Sequence, residues 1–285
     1  MSPLRHGAAG ATPVAVIMLT PRCNMHCDFC GAESGFIAMP YKEAHDLVDR
    51  LAAQGTRSVV LGGGEPFYWG PGLGSLAAHV RKLNMTVQVG TNATLVPDGP
   101  EALDDFDRWI LPLESLEQNI HDGMRPYANG HFDRIVALLD RLRAHRIEVT
   151  ISSLVTKENV GSLDQVGAYL RWYQKNGGLL HAWHLYRFLA EGRGGRLHDE
   201  RFSTRDGVFE AVGAELKARF EDLRIYLRPD MYHSKDTSFY WWQAGEMKTL
   251  SALHVPSVAG QEQPGHGQAD DVTSQGGSNA NQGQL

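Results

Sequence analysis

Cysteine is scarce in this sequence. Only three of the 285 residues are cysteines, and all three lie between positions 23 and 30. A secreted domain held together by disulfides usually carries an even number of cysteines spread along the chain. A tight, odd cluster in a chain otherwise free of cysteine indicates metal ligation instead. We therefore exclude a disulfide framework.

Long apolar runs and an excess of positive charge are also absent. No run approaches the roughly 18 apolar residues of a membrane span, and residues 1–13 lack the apolar stretch of a signal peptide. We therefore expect no membrane partner and a cytoplasmic protein. The net charge of −6 argues against nucleic acid as a partner. With 42% hydrophobic and 21% charged residues, the composition is that of a globular domain.

The end of the chain has a different composition from the rest. Residues 256–285 are rich in Gly, Gln, Ser and Asn and contain no aromatic side chain. Such a segment offers too little apolar surface to offset the entropy of ordering it. We predict an N-terminal extension over residues 1–13, one folded domain over residues 14–255, and a disordered tail over residues 256–285.

Within the predicted domain, short β-rich runs alternate with helical patterns. The predicted strands are Val14–Leu19, Ser58–Leu61, Thr86–Val89, Trp109–Leu113, Glu148–Leu154, Trp183–Leu189 and Leu223–Leu227. This alternation predicts an α/β fold with a parallel sheet. Six or seven units are too few for a closed eight-stranded barrel, so we expect an open partial barrel. Ligands collect at the carboxyl ends of the strands in such sheets.

The three cysteines directly follow the first predicted strand, with the spacing C-x3-C-x2-C. Three thiolates can hold three irons of a cubane cluster, whereas most ferredoxin sites use four. The fourth iron would then be open to an exogenous ligand, as an open position is in catalytic zinc sites. The alternative is a structural zinc ion bound by Cys23, Cys27 and Cys30 with His26.

A glycine-rich turn follows the second predicted strand as Gly62-Gly63-Gly64-Glu65-Pro66. Three glycines at a strand end permit positive φ and close approach of the backbone to a ligand. A phosphate loop is disfavoured because no Gly-Lys-Ser/Thr follows. An ordinary tight turn remains the alternative.

Together, the cysteine motif with Phe29 before Cys30, and the Gly-Gly-Glu-Pro turn, resemble the signature of the radical S-adenosylmethionine (SAM) superfamily. The resemblance implies an open partial (β/α)6 barrel and a [4Fe–4S] cluster on Cys23, Cys27 and Cys30. It also implies that SAM binds the open iron and is reductively cleaved to a 5′-deoxyadenosyl radical, which abstracts hydrogen from a substrate. The electron would come from an external flavodoxin- or ferredoxin-like donor.

The same resemblance implies the SAM-binding residues. The backbone of Gly63, Gly64 and Glu65 would accept hydrogen bonds from the SAM amino group, and Thr91 or Asn92 would contact SAM from the next strand end. The alternative for Asn92 is a plain turn. A hydroxyl of the fifth strand would contact the SAM carboxylate, and we expect Ser153 rather than Ser152, although one of these neighbours must face the helices.

Two residues at later strand ends are candidates for catalysis on the substrate. Glu114 could accept hydrogen bonds from a ribose or a substrate hydroxyl, or could simply pair with an arginine. Arg187, close to a Gly-Arg-Gly turn, suits bidentate binding of a carboxylate or phosphate. Arg193 and Arg228 share that potential, and surface ion pairs are the alternative. We expect the segment after the last strand, with the aromatic run at residues 240–242, to form a lid or a small core cluster.

The sequence contains no cysteine after Cys30, which argues against an auxiliary-cluster domain. In size and layout the chain is similar to viperin-like nucleotide dehydratases and cytosylglucuronate decarboxylases. This similarity implies a small polar substrate derived from a nucleoside or sugar, and a decarboxylation or dehydration (a lyase reaction) in secondary metabolism. The alternative is a non-enzymatic zinc-binding or scaffold protein on the same barrel.

Overall fold

A computed structural model describes residues 13–32, 35–70, 72–230, 234 and 236–251. Its strands are β1 (Val14–Thr20), β2 (Ser58–Gly63), β3 (Thr86–Gly90), β4 (Arg108–Pro112), β5 (Glu148–Val155), β6 (Leu179–Arg187), β7 (Ile225–Arg228), β8 (Thr237–Gln243) and β9 (Glu246–Ser251). Its α-helices are α1 (Tyr41–Ala53), α2 (Gly72–Lys82), α3 (Gln118–Met124), α4 (Phe132–Ala144), α5 (Leu163–Lys175), α6 (Gly192–Gly195), α7 (Asp199–Phe202) and α8 (Val208–Arg219). The predicted tail at residues 256–285 and most of the predicted N-terminal extension lie outside the described residues.

The strands form one sheet in the order β7-β6-β5-β4-β3-β2-β1-β8-β9. From β1 to β7 each strand pairs in parallel with the next one along the chain. The two ends of the sheet are β7 and β9, so the sheet is not closed into a barrel. The predicted α/β fold with an open parallel sheet is confirmed.

One face of the sheet packs against the helices. Side chains that alternate along each strand, such as Ile17, Leu61 and Val89, are completely buried on this outer face. They join a hydrophobic core with the apolar stripes of α1, α2, α4, α5 and α8. Burial of these stripes accounts for the helical patterns that alternate with the strands in the sequence.

The opposite, inner face carries the other set of alternating side chains, and its character changes along the sheet. On β5 to β7 the paired inner residues include Thr150, Ser152, His184, Tyr186 and Arg228. On β1 and β8 the inner pairs are apolar: Val16 with Phe239 and Met18 with Trp241. The inner face is therefore polar toward β7 and apolar toward β8.

The aromatic run at residues 240–242, for which we expected a lid or a small core cluster, is part of the sheet. It lies in β8, which pairs in parallel with β1 and in antiparallel with β9. Tyr240 and Trp242 pack against the outer core, and the Trp242 carbonyl accepts a 3.0 Å hydrogen bond from the Ile37 N–H. The hairpin β8–β9 thus extends the sheet on its β1 side.

Candidate functional site: a cysteine loop and the strand ends beside it

The cysteine loop begins where β1 ends, and a second, smaller hydrophobic cluster anchors it. This cluster consists of Met124, Phe188 and Phe202, with Phe29 packed against it. The rings of Phe29 and Phe202 meet edge to face with centroids 5.8 Å apart. The aromatic residue before the last cysteine therefore fixes the loop to the rest of the fold.

Helix α6 supports the same loop through close backbone contact. The Gly194 N–H donates a 3.1 Å hydrogen bond to the Cys30 carbonyl. A Cβ on Gly194 would lie 2.5 Å from the Asp28 carbonyl oxygen, and one on Gly192, whose φ is +71°, would lie 2.4 Å from the Gly31 backbone. The Gly-Arg-Gly turn, expected on the substrate side, thus has a structural reason to contain glycine.

The thiols lie in a half-buried environment. Burial raises the pKa of the Cys27 thiol to about 11, although the positive charge of Arg125 opposes this rise. The charges of Cys30 and Cys23 also act on Cys27, which places the three thiols near one another. Burial also raises the pKa of Cys23. Metal binding must therefore displace protons from these thiols.

The donor set fits a cluster better than a single zinc ion. Tetrahedral zinc with Zn–S bonds of about 2.3 Å brings its sulfur ligands to within about 4 Å of one another. Across the part of the chain that the structure describes, no three Cys, His, Asp or Glu side chains are gathered to hold one metal ion. His26, the expected fourth zinc ligand, is exposed. Three thiols on one loop match the thiolate ligands that iron–sulfur clusters use.

The glycine turn after β2 packs directly against the start of the cysteine loop. The Gly64 N–H donates to the Thr20 carbonyl (2.7 Å) and the Glu65 N–H donates to the Arg22 carbonyl (2.8 Å). A Cβ on Gly64 would lie 2.4 Å from the Arg22 carbonyl oxygen. Gly63 has φ of +67°, a conformation that favours glycine. These N–H groups are therefore used to hold the loop.

Glu65 joins this turn to the end of β3. Its Oε1 accepts a 2.7 Å hydrogen bond from the Thr91 hydroxyl, and its Oε2 accepts a 2.8 Å bond from the Asn92 N–H. The side chain is completely buried, and burial raises its pKa to about 7. Thr91, expected to contact SAM, has its hydroxyl committed to Glu65.

The Asn92 side chain reaches the cysteine loop. Its Nδ2 donates to the Asn24 Oδ1 at 3.0 Å and to the Cys23 Sγ at 3.5 Å. Its Oδ1 accepts a 2.9 Å bond from the Thr94 N–H. The next residue, Ala93, has φ of +65°, a left-handed backbone conformation that usually favours glycine. Asn92 is therefore a contact of a cysteine thiol in this structure.

Glu114 forms a buried ion pair. Its Oε1 lies 2.7 Å from Arg125, and its Oε2 accepts a 2.7 Å hydrogen bond from the Leu154 N–H. The side chain is fully buried. Both carboxylate oxygens thus have protein partners, which supports the structural alternative for Glu114. The sequence reasoning missed Arg125, which also lies 4.9 Å above the Phe29 ring.

The choice between the two adjacent serines needs correction. Ser153 faces the helices, where its hydroxyl donates to the Leu113 carbonyl (2.5 Å) and accepts from the Trp183 indole N–H (2.9 Å). It is completely buried. Ser152 points to the inner face instead, with a long 3.4 Å bond to the Leu111 carbonyl. Strand alternation therefore places Ser152, and not Ser153, beside the open space.

The three arginines expected near the substrate lie in three different environments. Arg187 lies on the outer face, where it pairs with Glu210 of α8 and stacks 5.2 Å from the Phe209 ring. The expected clamp role of Arg187 therefore does not fit its position. Arg193 donates a 3.2 Å bond to the Pro21 carbonyl. Arg228 alone of the three shares the inner face, paired in register with Tyr186.

The carboxyl ends of β2 and β3 leave open space on the inner face. A Cβ on Gly62 or on Gly90 would meet no described atom within 4 Å. Both glycines lie beside the turns that hold the cysteine loop. The residues present thus fit a ligand bound next to the three thiols.

A sequence model of the Radical SAM superfamily matches residues 17–169, more than half of the chain. The protein belongs to the radical SAM superfamily. Members of this superfamily are enzymes that use a [4Fe–4S] cluster and SAM, and so does this protein. The alternative of a non-enzymatic zinc-binding or scaffold protein is therefore set aside.

Individual relatives of this radical SAM enzyme differ in what they do. It is 26% identical over 185 residues to an AdoMet-dependent heme synthase from Methanosarcina barkeri, covering 62% of this chain and 50% of the relative. It is also 26% identical over 174 residues to an S-adenosylmethionine-dependent nucleotide dehydratase from Lacinutrix mariniflava, covering 54% and 35%. The chain spans half or less of the length of these curated relatives.

Solved structures of the superfamily share the fold. Streptococcus suis SuiB bound to the precursor peptide SuiA superposes with a TM-score of 0.66 at 15% identity, covering 78% of this chain and 50% of SuiB. This likeness confirms the architecture of the radical SAM domain. Among the described residues, no helix combines the length and the apolar character needed to cross a membrane.

Proposed function

We propose that this radical SAM enzyme acts on a small polar substrate derived from a nucleoside or a sugar, and that it catalyses a decarboxylation or dehydration. The observation that carries this proposal is the polar inner face of β5 to β7, with Ser152, His184, Tyr186 and Arg228 near the edge that holds the cysteine loop. A small molecule with hydroxyl and charged groups complements these side chains.

Different residues of the chain would bind the cluster and SAM. Cys23, Cys27 and Cys30 would hold the cluster, while Asn92 would donate a hydrogen bond to the Cys23 sulfur. The inner-face space beside Gly62 would receive SAM. When bound, the cluster and SAM supply an electron and a carbon radical that removes hydrogen from the substrate. The electron would come from an external flavodoxin- or ferredoxin-like donor in the cytoplasm, where thiols stay reduced.

Relatives leave several substrate classes open. The name of one relative indicates action on nucleotides, which supports the proposed class. Another is a heme synthase, and SuiB was solved with a precursor peptide. The inner face of β5 to β7 favours a small polar molecule because it carries charged and hydroxyl groups.

The first experiment tests the chemistry of the cluster. Anaerobically purified protein is incubated with SAM and dithionite, and 5′-deoxyadenosine is measured. We expect its formation, and we expect Cys27→Ala to lose both iron and this product. His26→Ala is the matched control, because zinc bound by three cysteines and His26 would be weakened by it whereas a [4Fe–4S] cluster would not. Full activity in Cys27→Ala would refute the assignment.

The second experiment tests the substrate class. Nucleosides, nucleotides and sugar acids are supplied in turn, and release of carbon dioxide or loss of water is followed by mass spectrometry. We expect one of these compounds to give a product and to accelerate SAM cleavage. Turnover confined to a peptide substrate would overturn the proposed class while leaving the radical SAM chemistry intact.

A further inference from the structure

Three polar side chains meet on the inner face of β6 and β7. Register pairs His184 with Tyr226 and Tyr186 with Arg228, so all four residues share one face. The His184 ring meets the Tyr226 ring edge to face at 5.3 Å and the Tyr186 ring at 6.1 Å. The Arg228 guanidinium lies 5.4 Å from the Tyr226 centroid. We call His184, Tyr186 and Arg228 the inner polar cluster.

The charge of this cluster comes from Arg228. Burial, followed by the charge of Arg228, lowers the pKa of His184 to about 3. Burial raises the pKa of the Tyr186 phenol, although Arg228 opposes the rise. Near neutral pH, the histidine is therefore uncharged and the tyrosine retains its proton. One cation and one hydroxyl donor face the interior together.

Among the residues that the structure describes, these groups have no partner of the kind that comparable residues have. Arg108 pairs with Glu148, Arg171 with Asp222 and Arg219 with Asp164. Within the described ranges, no carboxylate lies within 4 Å of the Arg228 guanidinium, and neither the Tyr186 hydroxyl nor the His184 ring makes a hydrogen bond. Polar groups on a concave face are normally satisfied by protein, water or a ligand. The inner polar cluster is thus available to a ligand.

The cluster lies at the edge where the chemistry takes place. Arg228 is the last residue of β7, and Tyr186 is the penultimate residue of β6. The cysteine loop follows the last residue of β1. Because β1 to β7 are parallel, these ends lie along one edge of the sheet. A group held by Arg228 would place the rest of a small molecule along the inner face.

We propose that Arg228 and the Tyr186 hydroxyl, supported by His184, form a subsite that binds a carboxylate or phosphate group of the substrate. The guanidinium offers a planar pair of donors to two oxygens of such a group, and the phenol offers a third. This inference rests on the proposed function and narrows its substrate to an anionic small molecule. Neutral nucleosides and neutral sugars are then weak ligands.

The test measures binding of matched probes to the reconstituted, SAM-loaded protein. Uridine 5′-monophosphate is compared with uridine for the phosphate arm, and glucuronate with glucose for the carboxylate arm. We expect the wild type to bind the anionic member of one arm at least about tenfold more tightly than its neutral partner. The pair of probes that shows this preference tells whether the subsite binds a phosphate or a carboxylate. Equal affinity within both arms would overturn the proposal.

Variants then locate the preference. Arg228→Gln, which removes the charge and keeps a polar amide, should abolish the tenfold preference, and Tyr186→Phe should reduce it. Arg228→Lys should keep only part of the preference for the anionic probe, because an ammonium lacks the planar pair of donors. Arg224→Ala, at the opposite end of β7, is the charge-matched control and should keep the full preference. An intact preference in Arg228→Gln would refute the subsite.

SAM cleavage separates failure of this inference from failure of the proposed function. Wild type and the control Arg224→Ala should form 5′-deoxyadenosine from SAM and dithionite at similar rates when no substrate is present. If neither forms it, the radical SAM assignment fails, yet the probe comparison still decides the anion subsite. If Arg228→Gln weakens binding of SAM itself, measured by titration, Arg228 acts on SAM and the substrate subsite is refuted.

Discussion

His121 and His131 stack with nearly parallel rings 5.0 Å apart and share a 2.7 Å hydrogen bond. The Glu114 N–H donates to Nδ1 of His121, and Nε2 of His131 lies 2.7 Å from the Asn92 carbonyl. Only one pair of tautomers satisfies this chain: each ring carries its proton on Nε2. The pair therefore joins the end of β4 to the residue that touches Cys23.

This pair predicts a pH dependence of stability. Burial lowers the pKa of His121 to about 2 and that of His131 to about 4, from 6.5. The unfolded chain therefore binds more protons below pH 6.5, so the stabilisation is complete above that pH and is lost as the pH falls toward 4. Each histidine contributes about 1.4 kcal/mol of this loss at pH 5.5.

The change that tests it is His131→Gln, whose amide can accept from His121 and donate to Asn92 without titrating. The free energy of unfolding is measured with urea at pH 7.5 and at pH 5.5. In His131→Gln it should fall between these pH values by about 1.4 kcal/mol less than in the wild type. His145→Gln, at an exposed position, should leave the difference unchanged. An identical pH dependence in wild type and His131→Gln would contradict the neutral pair.

Substitutions of Gly62 and Gly64, at the end of β2, should affect SAM binding and cluster assembly separately. Gly62→Val places a branched side chain in open space on the inner face and should weaken SAM binding at least about tenfold, with iron content unchanged. Gly64→Ala places a Cβ 2.4 Å from the Arg22 carbonyl oxygen and should lower iron content. Titration with SAM and iron analysis report the two effects. Full iron content in Gly64→Ala would show that the loop adapts.

The two adjacent serines should behave oppositely. Ser153→Ala removes a buried partner of the Leu113 carbonyl and of the Trp183 indole, and should cost about 1–3 kcal/mol of stability. Its SAM affinity should remain unchanged. Ser152→Ala should leave stability within about 0.5 kcal/mol of the wild type because its hydrogen bond is long. Thermal unfolding and SAM titration of both variants decide the matter, and weaker SAM binding only in Ser153→Ala would reverse our assignment.

Breaking the Glu114–Arg125 pair should be costly. Glu114→Ala leaves the arginine without its carboxylate and should destabilise the protein by about 3–5 kcal/mol. The double change Glu114→Met with Arg125→Met should recover much of this loss, since it removes both charges. Asp222→Ala, at an exposed ion pair with Arg171, should cost at most about 1 kcal/mol. Equal effects in the buried and exposed pairs would indicate that burial does not govern the cost.

Much of this structure follows from local sequence signals. Alternation of strand and helix patterns locates β1 to β7, because apolar side chains at period 2 or 3.6 must face the outer core. The same signal was available for the serines: Val149, Ile151 and Val155 are buried on the outer face, and Ser153 falls in step with them. Reading that alternation more strictly would have selected Ser152.

Other features depend on partners distant in sequence. The pairing of β8 with β1 joins residues more than two hundred positions apart, and no local pattern specifies it. Arg125 reaches Glu114 only through tertiary folding. Such relationships arise from long-range packing and could not be predicted from local periodicity.

The position of β8 has a consequence for the order of events in biosynthesis. One edge of β1, the strand that leads into the cysteine loop, is covered by β2 early, whereas its other edge is covered by residues 237–243. While a ribosome is still making the intervening chain, the backbone donors and acceptors on that edge have no native partner. Both edges of the strand that leads into the cysteine loop are therefore paired only once a segment more than two hundred residues beyond Cys23 has been made.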